Sequence, residues 1–474
     1  MVHSDSASLT ERDSSYAHNK DENWVYGPSD YKTPFDFVND VIESHGETES
    51  FMAVNLTAVK NQVAQWRREL PMVDPYYAVK CNPNPAIIKT LAALGVGFDC
   101  ATMGEISTII DMRQGHKKVI VKTGHPHQPQ TLDAPLDVAG WPEAYPKIVY
   151  AHPAKMVPHL MYARDNNVNL TVFDGEDELH KMAAIPDQQY QLLMRLTTDD
   201  ASSLCQFSAK FGADVDQAPH LLSVAKELGL KVVGVSFHVG SNCGDPGAYQ
   251  TSLDHAARVF RAAKDLGLPP LSIVDIGGGF PGDHSGKWGP LPTFSHIAST
   301  VRSAISHFCT SLDVTPAFVH TPTSGAAPEA EGRQVRFIAE PGRYMVSAST
   351  VVATQVYARK RLDVGTDQES QALYTDDGCY GSFNNVLLDE PYRPVPLRLK
   401  TLMGGKPNKA VATSIFGPTC DGIDVMCKAG ETQFERCEVG DWLVFEHMGA
   451  YTHTASFVFN GYTHIPAHLH YVLE

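Results

Sequence analysis

The chain has 474 residues, which is enough for two or three domains with separate cores. Its 54 acidic and 38 basic residues give a formal net charge of −16, which argues against a nucleic acid or an anionic membrane as its main partner. Nine scattered cysteines without a CxxC pair indicate neither a disulfide framework nor a thiolate zinc site, and are typical of a reduced, cytoplasmic protein. We see no signal peptide and no transmembrane run of about 20 apolar residues.

The first part of the chain passes from a polar tail to ordered structure. Residues 1–24 are predicted to be a disordered tail because they are rich in polar residues and lack an apolar run. A helix is predicted over 34–44, a strand over 51–56 and an amphipathic helix over 59–70. We assign residues 25–56 to a β domain to which the chain returns near its end.

Eight strand-like runs then alternate with helix-like segments, which predicts an α/β fold with a parallel sheet. A closed (β/α)8 TIM-like barrel over 57–345 is favoured, with an open doubly wound sheet as the alternative. The runs are 76–80, 97–101, 147–152, 170–174, 192–197, 232–239, 271–276 and 336–340. Polar or glycine residues stand at their carboxyl ends, which converge on one face of a barrel: Lys80, Asp99, His152, Asp174, Arg195, His238, Gly277 and Glu340.

Two segments interrupt the alternation of strands and helices, and the sequence pattern changes after it. Segment 115–145 contains an extra strand candidate at 118–123, and segment 321–334 is typical of a surface insertion. After residue 345, short β-branched runs separated by Gly/Pro turns predict a mainly antiparallel β domain over 346–474. Its strand candidates are 350–359, 373–375, 413–415, 442–445 and 455–460.

Lys80 ends a buried run, and Asn-Pro-Asn-Pro breaks the chain directly after it. A buried amine is costly unless it is paired or used. It can form a Schiff base with pyridoxal phosphate, or its stem can pack inside while the ammonium group reaches water. Glu340 and Arg343 are either a local ion pair or separate partners of a pyridine nitrogen and a phosphate.

Other candidates also have two interpretations. Glycines 277–279 either form a tight turn or bring backbone N–H groups to a phosphate. His238 is either a core histidine or a ring stacked on a planar cofactor, with Ser241 as a phosphate donor. Cys420, beside Asp421, is either a structural thiol or a proton donor. Histidines 464, 468 and 470 have a spacing that metals tolerate, but we predict no metal site.

Together these segments resemble the eukaryotic ornithine decarboxylases, within the alanine-racemase-like class of pyridoxal-phosphate enzymes. The resemblance runs from about residue 51 to the C-terminus. It rests on ordered motifs: YYAVKCN (76–82), GFDCA (97–101), RLTTDD (195–200), SAKFGA (208–213), GVSFHVGS (234–241), DIGGGFPG (275–282), AEPGRY (339–344), DDGCYGSFN (376–384), GPTCDGID (417–424) and EHMGAYT (446–452).

The resemblance implies pyridoxal 5'-phosphate as cofactor, with Lys80 as the Schiff-base lysine. Glu340 would pair with the pyridine nitrogen and His238 would stack on the ring. Asp99 and Arg195 would order their surroundings. The implied phosphate ligands are Ser241, Gly277, Gly278, Gly279, Arg343 and Tyr451.

The resemblance also implies decarboxylation of a small diamino acid, L-ornithine, in a homodimer with shared active sites. Cys420 would return a proton to Cα across the dimer interface, where Lys210 and Asp424 would form an ion pair. Antizyme is a further candidate partner. The implied substrate-binding residues are Asp389, Asp421, Tyr380 and Phe459.

Two departures from the family pattern affect the predicted site. Glu390 stands where the familiar enzymes have histidine, beside the pocket for the distal amine, and His152 replaces an asparagine. The preferred chain length of the diamino acid therefore stays open, with lysine or another diamino acid as alternatives. An inactive, antizyme-binding homologue is the alternative from another class, although the cofactor residues that such proteins tend to lose are present here.

Overall fold

The structure, a computed structural model, describes residues 23–26, 33–113, 121–123, 147–282, 291–317, 332–388, 394–462 and 468–472. Of the predicted disordered tail, residues 1–22 lie outside these ranges, whereas Asn23 and Trp24 begin a strand. Most of segments 115–145 and 321–334 also lies outside them. No helix in the described ranges has both the length and the apolar character needed to cross a bilayer.

The strands are, in chain order, β1 (Asn23–Tyr26), β2 (Phe51–Asn55), β3 (Val73–Ala78), β4 (Gly97–Cys100), β5 (Val121–Thr123), β6 (Ile148–Tyr150), β7 (Leu170–Phe173), β8 (Gln191–Arg195), β9 (Ser203–Cys205), β10 (Lys231–Ser236), β11 (Ser241–Cys243), β12 (Ile273–Asp275), β13 (Thr315–Pro316), β14 (Gln334–Ala339), β15 (Thr350–Leu362), β16 (Ser370–Thr375), β17 (Leu397–Arg398), β18 (Ala410–Phe416), β19 (Val425–Cys427), β20 (Gln433–Glu435), β21 (Trp442–Phe445) and β22 (His468–Val472).

The helices are α1 (Pro34–His45), α2 (Leu56–Glu69), α3 (Pro85–Ala93), α4 (Met103–Arg113), α5 (Val157–Asp165), α6 (Glu176–Ala183), α7 (Ala218–Glu227), α8 (Gly247–Asp265), α9 (Phe294–Leu312), α10 (Arg343–Val346), α11 (Asn385–Leu388) and α12 (Leu399–Leu402). Helix α2 shows why these segments are helical and buried on one side. Its buried residues, Leu56, Val59, Val63 and Trp66, recur at helical spacing. The Trp66 ring packs edge-on against Phe280, with ring centroids 4.8 Å apart.

Eight parallel strands close into a barrel, as predicted. Their order is β12-β10-β8-β7-β6-β4-β3-β14, and β14 pairs again with β12, so the open-sheet alternative is wrong. Strand β3 differs from its predicted bounds because it begins at Val73 and ends at Ala78. Lys80 therefore lies in the 3-10 turn Val79–Cys81 that follows the strand. This places the Lys80 side chain at the carboxyl face of the barrel, which is the face where (β/α)8 barrels carry their functional sites.

The second sheet is mainly antiparallel, as predicted, with four parallel pairs among the ten strand pairs of the described residues. Its main order is β19-β18-β16-β15-β2-β22-β1-β5, with β21 paired to β15 and β20 to β18. Strand β15 is antiparallel to β16, β2 and β21, whereas β16–β18, β2–β22, β1–β22 and β1–β5 are parallel. The pairs β2–β22 and β1–β22 join strands from opposite ends of the chain, whereas β16 and β18 are parallel although both follow the barrel.

One predicted strand of this sheet is wrong. Residues 455–460 contain the end of a 3-10 turn and one isolated bridge, between Phe459 and Tyr462. The alternating aromatic residues there do not pair in the sheet. Instead, Phe457 and Phe459 both pack against the ring of Tyr380, with centroids 4.9 and 4.7 Å away.

Replacement of Gly234 by alanine is expected to destabilise the barrel by about 3 kcal/mol, because overpacking against rigid backbone is costly. Gly234 lies at an irregularity between β10 and β8, and a Cβ there would stand 1.9 Å from the carbonyl oxygen of Ile273. Urea unfolding of the variant measures the effect. Gly430→Ala is the matched control, since a Cβ at that position meets nothing within 4 Å; equal stability of the two variants would contradict the prediction.

Candidate functional site

A cavity of about 440 Å³ opens at the carboxyl ends of the barrel strands. It brings together most of the residues predicted to bind the cofactor. Those that line it are Lys80, Arg195, His238, Ser241, Gly278, Gly279, Glu340, Arg343 and Tyr451. Asp99 and Gly277 lie directly behind this lining, through contacts with Lys80 and His238 respectively. Of the residues predicted at strand ends, Lys80, His152, Arg195, His238 and Glu340 line this one cavity, whereas Asp174 does not.

The Lys80 amine is held by a carboxylate. Its Nζ donates a hydrogen bond to Oδ2 of Asp99, which is buried at the end of β4. Burial acts to lower the pKa of Lys80, but Asp99, Tyr451 and Glu340 outweigh it and raise that pKa above its ordinary value. In this arrangement the amine of Lys80 is protonated and is present as an ammonium group. An ammonium group must lose a proton before it can act as a nucleophile.

Glu340 and Arg343 have different surroundings in the cavity. Burial, together with Asp275 and Asp99, raises the pKa of Glu340 well above its usual range. Arg343 is also buried, and its Nη2 lies 3.5 Å from Oγ of Ser241 while its guanidinium covers the ring of Tyr451 at 4.9 Å. The sequence interpretation in which Glu340 and Arg343 have separate jobs agrees with these separate surroundings.

The segment that contains His238 leaves no room for side chains at Gly277 and Gly278. A Cβ on Gly278 would lie 2.6 Å from Nε2 of His238, so a side chain there would displace the imidazole or block the cavity. His238 Nδ1 accepts a hydrogen bond from the N–H of Gly240 at 3.0 Å. Burial, Arg195 and Lys80 lower the pKa of His238 well below its usual value, so the ring is neutral and carries its hydrogen on Nε2.

One wall of the cavity was not predicted as part of the site. Phe207 packs edge-on against His238 at 4.9 Å, and Phe211 lies under the guanidinium of Arg195 at 5.3 Å. His152 packs against Phe211 at 5.4 Å. The sequence contained one indication of this wall. Phe207 and Phe211 are close in the chain to Lys210, a predicted interface residue that also lines the cavity.

The remaining predicted residues form a second group on the β domain. Tyr380 donates a hydrogen bond from its hydroxyl to Asp421, and this carboxylate raises the pKa of Tyr380 to about 12. Phe459 stacks on Tyr380. Cys420 is exposed, and its Sγ lies 3.1 Å from Oδ1 of Asn460, a contact that the sequence analysis missed.

This second group does not line the cavity of its own chain. Asp424 is buried and accepts hydrogen bonds from Thr419 and from the N–H of Cys379, so within one chain its described partners do not include Lys210. Asp389 and Glu390 lie outside the described residues. The structure thus places the predicted site residues in two separate constellations.

The chemistry of the cavity fits the cofactor that the resemblance implies. A primary amine at Lys80, a carboxyl group at Glu340 and a cation at Arg343 match the aldehyde, the ring nitrogen and the phosphate of pyridoxal phosphate. Oδ1 of Asp99 is buried and receives no hydrogen bond from the described residues. No group of three His, Cys, Asp or Glu suited to a metal occurs in the described ranges, and His464 lies outside them.

Comparison with known proteins agrees with this chemistry. A sequence profile described as "Pyridoxal-dependent decarboxylase, pyridoxal binding domain" matches residues 56–134 and 132–347. Ornithine decarboxylase of Schizosaccharomyces pombe is 36% identical over 421 residues, which are 88% of this chain and 82% of that protein. Antizyme inhibitor 2 of Xenopus laevis is 34% identical over 443 residues, 91% of this chain and 84% of that protein.

A solved structure shares the architecture as well. The arginine decarboxylase of Paramecium bursaria Chlorella virus, bound to agmatine, matches with a TM-score of 0.74 and 29% identity. The match covers 93% of this chain and 100% of that one.

Proposed function

Because this chain belongs to the pyridoxal-dependent decarboxylase family, with pyridoxal phosphate as its cofactor, we propose that it converts L-ornithine to putrescine and CO2. The observation that carries the proposal is the cavity in which Lys80 contacts Asp99 while Glu340 and Arg343 also face inward. The similarity to the S. pombe ornithine decarboxylase over most of both chains supports the choice of substrate.

Each cavity residue has a task that its surroundings explain. The bound cofactor supplies an electron sink for the charge left at Cα when the substrate loses CO2. Lys80 would hold the cofactor through its amine, and Asp99 orients that amine. Glu340 binds the ring nitrogen, and neutral His238 packs on the ring face without adding a positive charge. Arg343, with Ser241 beside it, binds phosphate.

The second constellation supplies substrate recognition and the returning proton. Asp421 and Asp389 bind the distal ammonium group of a diamino acid. Tyr380, which donates a hydrogen bond to Asp421, and Phe459, which stacks on Tyr380, form the apolar wall beside it. Cys420 donates its thiol proton to Cα after CO2 has left. A desolvated carboxylate without an ammonium partner is costly, so neutral side chains are rejected.

Because the two constellations do not meet within one chain, we propose a homodimer in which each cavity is completed by the second constellation of the other chain. In that dimer Lys210 and Asp424 pair across the interface. Exposed apolar side chains around the second constellation support an interface there: Ile423, Phe457, Val458 and Tyr462 are each about half exposed in the single chain. We further propose antizyme as a partner, supported by the similarity to antizyme inhibitor 2, and the cytosol as the location, in line with the free thiols of the described cysteines.

The proposed substrate is tested by CO2 release from purified protein with L-ornithine, L-lysine and L-arginine in parallel. We expect kcat/KM for ornithine to exceed that for lysine by roughly 10- to 200-fold, the discrimination typical of one methylene. Putrescine should form in equal amount to CO2, because Cys420 delivers the proton to Cα.

Higher kcat/KM for lysine or arginine would refute the substrate while leaving the decarboxylase chemistry intact. Absence of both cofactor binding and turnover would instead favour the inactive, antizyme-binding alternative, whereas cofactor binding without turnover of any of the three would indicate a different substrate. An aldehyde in place of putrescine would refute the role of Cys420.

A further inference from the structure

The peptide group between Gly278 and Gly279 is held by a buried tyrosine. The hydroxyl of Tyr249, the third residue of α8, donates a hydrogen bond to the carbonyl oxygen of Gly278 at 2.8 Å. Tyr249 is fully buried and does not line the cavity, whereas Gly278 and Gly279 do. Burial raises the pKa of Tyr249 well above its usual value, so the hydroxyl keeps the proton that it donates. The hydroxyl is therefore a permanent donor behind the cavity wall.

The two neighbouring carbonyl groups are held in the same way, but by backbone donors. The carbonyl of Gly277 accepts a hydrogen bond from the N–H of Glu340 at 2.7 Å, and that of Gly279 accepts one from the N–H of Cys243 at 2.9 Å. Neither of these bonds involves a side chain. The peptide group in the middle, by contrast, depends on a single hydroxyl.

These three bonds decide where the next N–H groups of the chain point. In a planar trans peptide, the C=O of one residue and the N–H of the next point in opposite directions. The N–H groups of Gly278, Gly279 and Phe280 are therefore turned away from the donors that hold the carbonyls, and all three residues line the cavity. None of these N–H groups has an acceptor among the described residues. The N–H of Gly277, by contrast, already donates to Oδ1 of Asp275 at 2.9 Å.

The backbone conformation of this segment is suited to an anion. Gly277 and Gly279 have positive φ, of 65° and 105°, whereas Gly278 between them does not. Alternation of this kind brings successive N–H groups around one concavity, which binds anions such as phosphate. Arg343 lines the same cavity, and its Nη2 lies 3.5 Å from Oγ of Ser241. Rotation of the middle peptide group would replace one N–H of the concavity by a carbonyl oxygen, which repels an anion.

We propose that Tyr249 is a positioning residue for the phosphate of the cofactor: by holding the carbonyl of Gly278, its hydroxyl keeps the N–H of Gly279 directed into the cavity. Tyr249 itself does not touch the phosphate. The inference rests on the phosphate placement proposed above, beside Arg343 and Ser241, and not on the identity of the substrate. Its effect should therefore appear in the affinity for ligands that carry the phosphate.

The test compares the binding of two ligands to the whole chain freed of cofactor: pyridoxal phosphate, and pyridoxal, which lacks the phosphate. Equilibrium dialysis gives both dissociation constants. Tyr249→Phe removes the hydroxyl and keeps the ring, which packs against Phe280 with centroids 5.5 Å apart. We expect this variant to bind pyridoxal phosphate about 10-fold more weakly than the wild type, as for one lost hydrogen bond to a buried group. It should bind pyridoxal within about twofold of the wild type.

Tyr190→Phe is the matched control. The hydroxyl of Tyr190 is also buried and donates to a backbone carbonyl, that of Leu160, at 3.0 Å. Neither of these two residues lines the cavity. Thermal unfolding without cofactor should show similar losses of stability in the two variants. Only Tyr249→Phe should change the ratio of the two dissociation constants, because a general loss of stability affects both ligands alike.

An unchanged ratio in Tyr249→Phe, or an equal change of the ratio in Tyr190→Phe, would overturn the proposal. Arg343→Gln separates the two levels of the argument. If this variant binds pyridoxal phosphate as tightly as the wild type, the phosphate placement is wrong and the role of Tyr249 fails with it. If Arg343→Gln weakens the preference for the phosphate and Tyr249→Phe does not, only the role of Tyr249 fails. CO2 release from L-ornithine tests the substrate independently of both results.

Discussion

Replacement of Lys80 by alanine is expected to lower CO2 release from L-ornithine by about 10³-fold or more, because the variant loses both the covalent attachment of the cofactor and the amine that exchanges with the substrate. Lys80 donates directly to Asp99 at the floor of the cavity. Borohydride reduction followed by mass spectrometry provides the second measurement. It should add the mass of reduced cofactor to the wild-type peptide containing Lys80 and nothing to the variant.

The matched control is Lys231→Ala. Lys231 is an exposed lysine at the other end of a barrel strand, the first residue of β10. This variant should retain wild-type CO2 release and the borohydride adduct. Near-normal activity of Lys80→Ala, or an adduct on a different lysine, would mean that the reactive amine has been wrongly assigned.

Mixing two inactive variants is expected to restore about a quarter of wild-type activity, since random exchange of chains makes half of the dimers mixed and each mixed dimer has one intact site of two. The variants are Lys80→Ala, which damages the barrel cavity, and Asp421→Ala, which damages the second constellation. The latter alone should lose roughly 10²- to 10³-fold in kcat/KM, because the distal ammonium group of the substrate is left without its carboxylate.

Restoration in this experiment is specific to shared sites. If each chain carried a complete site of its own, every chain in the mixture would still have one defect and activity would stay at the level of the parents. Mixing Lys80→Ala with itself after the same exchange procedure controls for handling. A monomer in sedimentation at assay concentration would contradict the dimer directly.

The barrel could be predicted from sequence because each parallel strand is a short buried apolar run with a polar residue at its carboxyl end. Lys80 and Glu340 illustrate this, since both lie just past their strands and face the same cavity. The first and last residues of the strands were harder to predict. Pro75 did not stop β3, which accommodates it beside Ala339 of β14, so the strand begins earlier than the sequence suggested.

Contacts between segments that are distant in the chain could not be predicted from the sequence. Gly277 lies within a recognised motif, but the hydrogen bond that its carbonyl accepts from the N–H of Glu340 depends on the register of β12 against β14. The contact of Asn460 with Cys420 depends on a loop in which Asn460 takes a left-handed conformation, with φ of 50°. The parallel pairing of β16 with β18 was missed because short alternating runs do not encode strand direction.

The barrel is inserted between two adjacent strands of the other sheet, and this has a consequence for the order of folding. Strand β2 precedes the barrel and β15 follows it, yet Val54 pairs with Thr350. Bringing such distant segments together from an open chain costs loop-closure entropy. Closure of the barrel, which places β3 beside β14, removes most of that separation beforehand. A chain arrested before closure leaves β2 and β15 as open strand edges, which are prone to pair with other chains and aggregate.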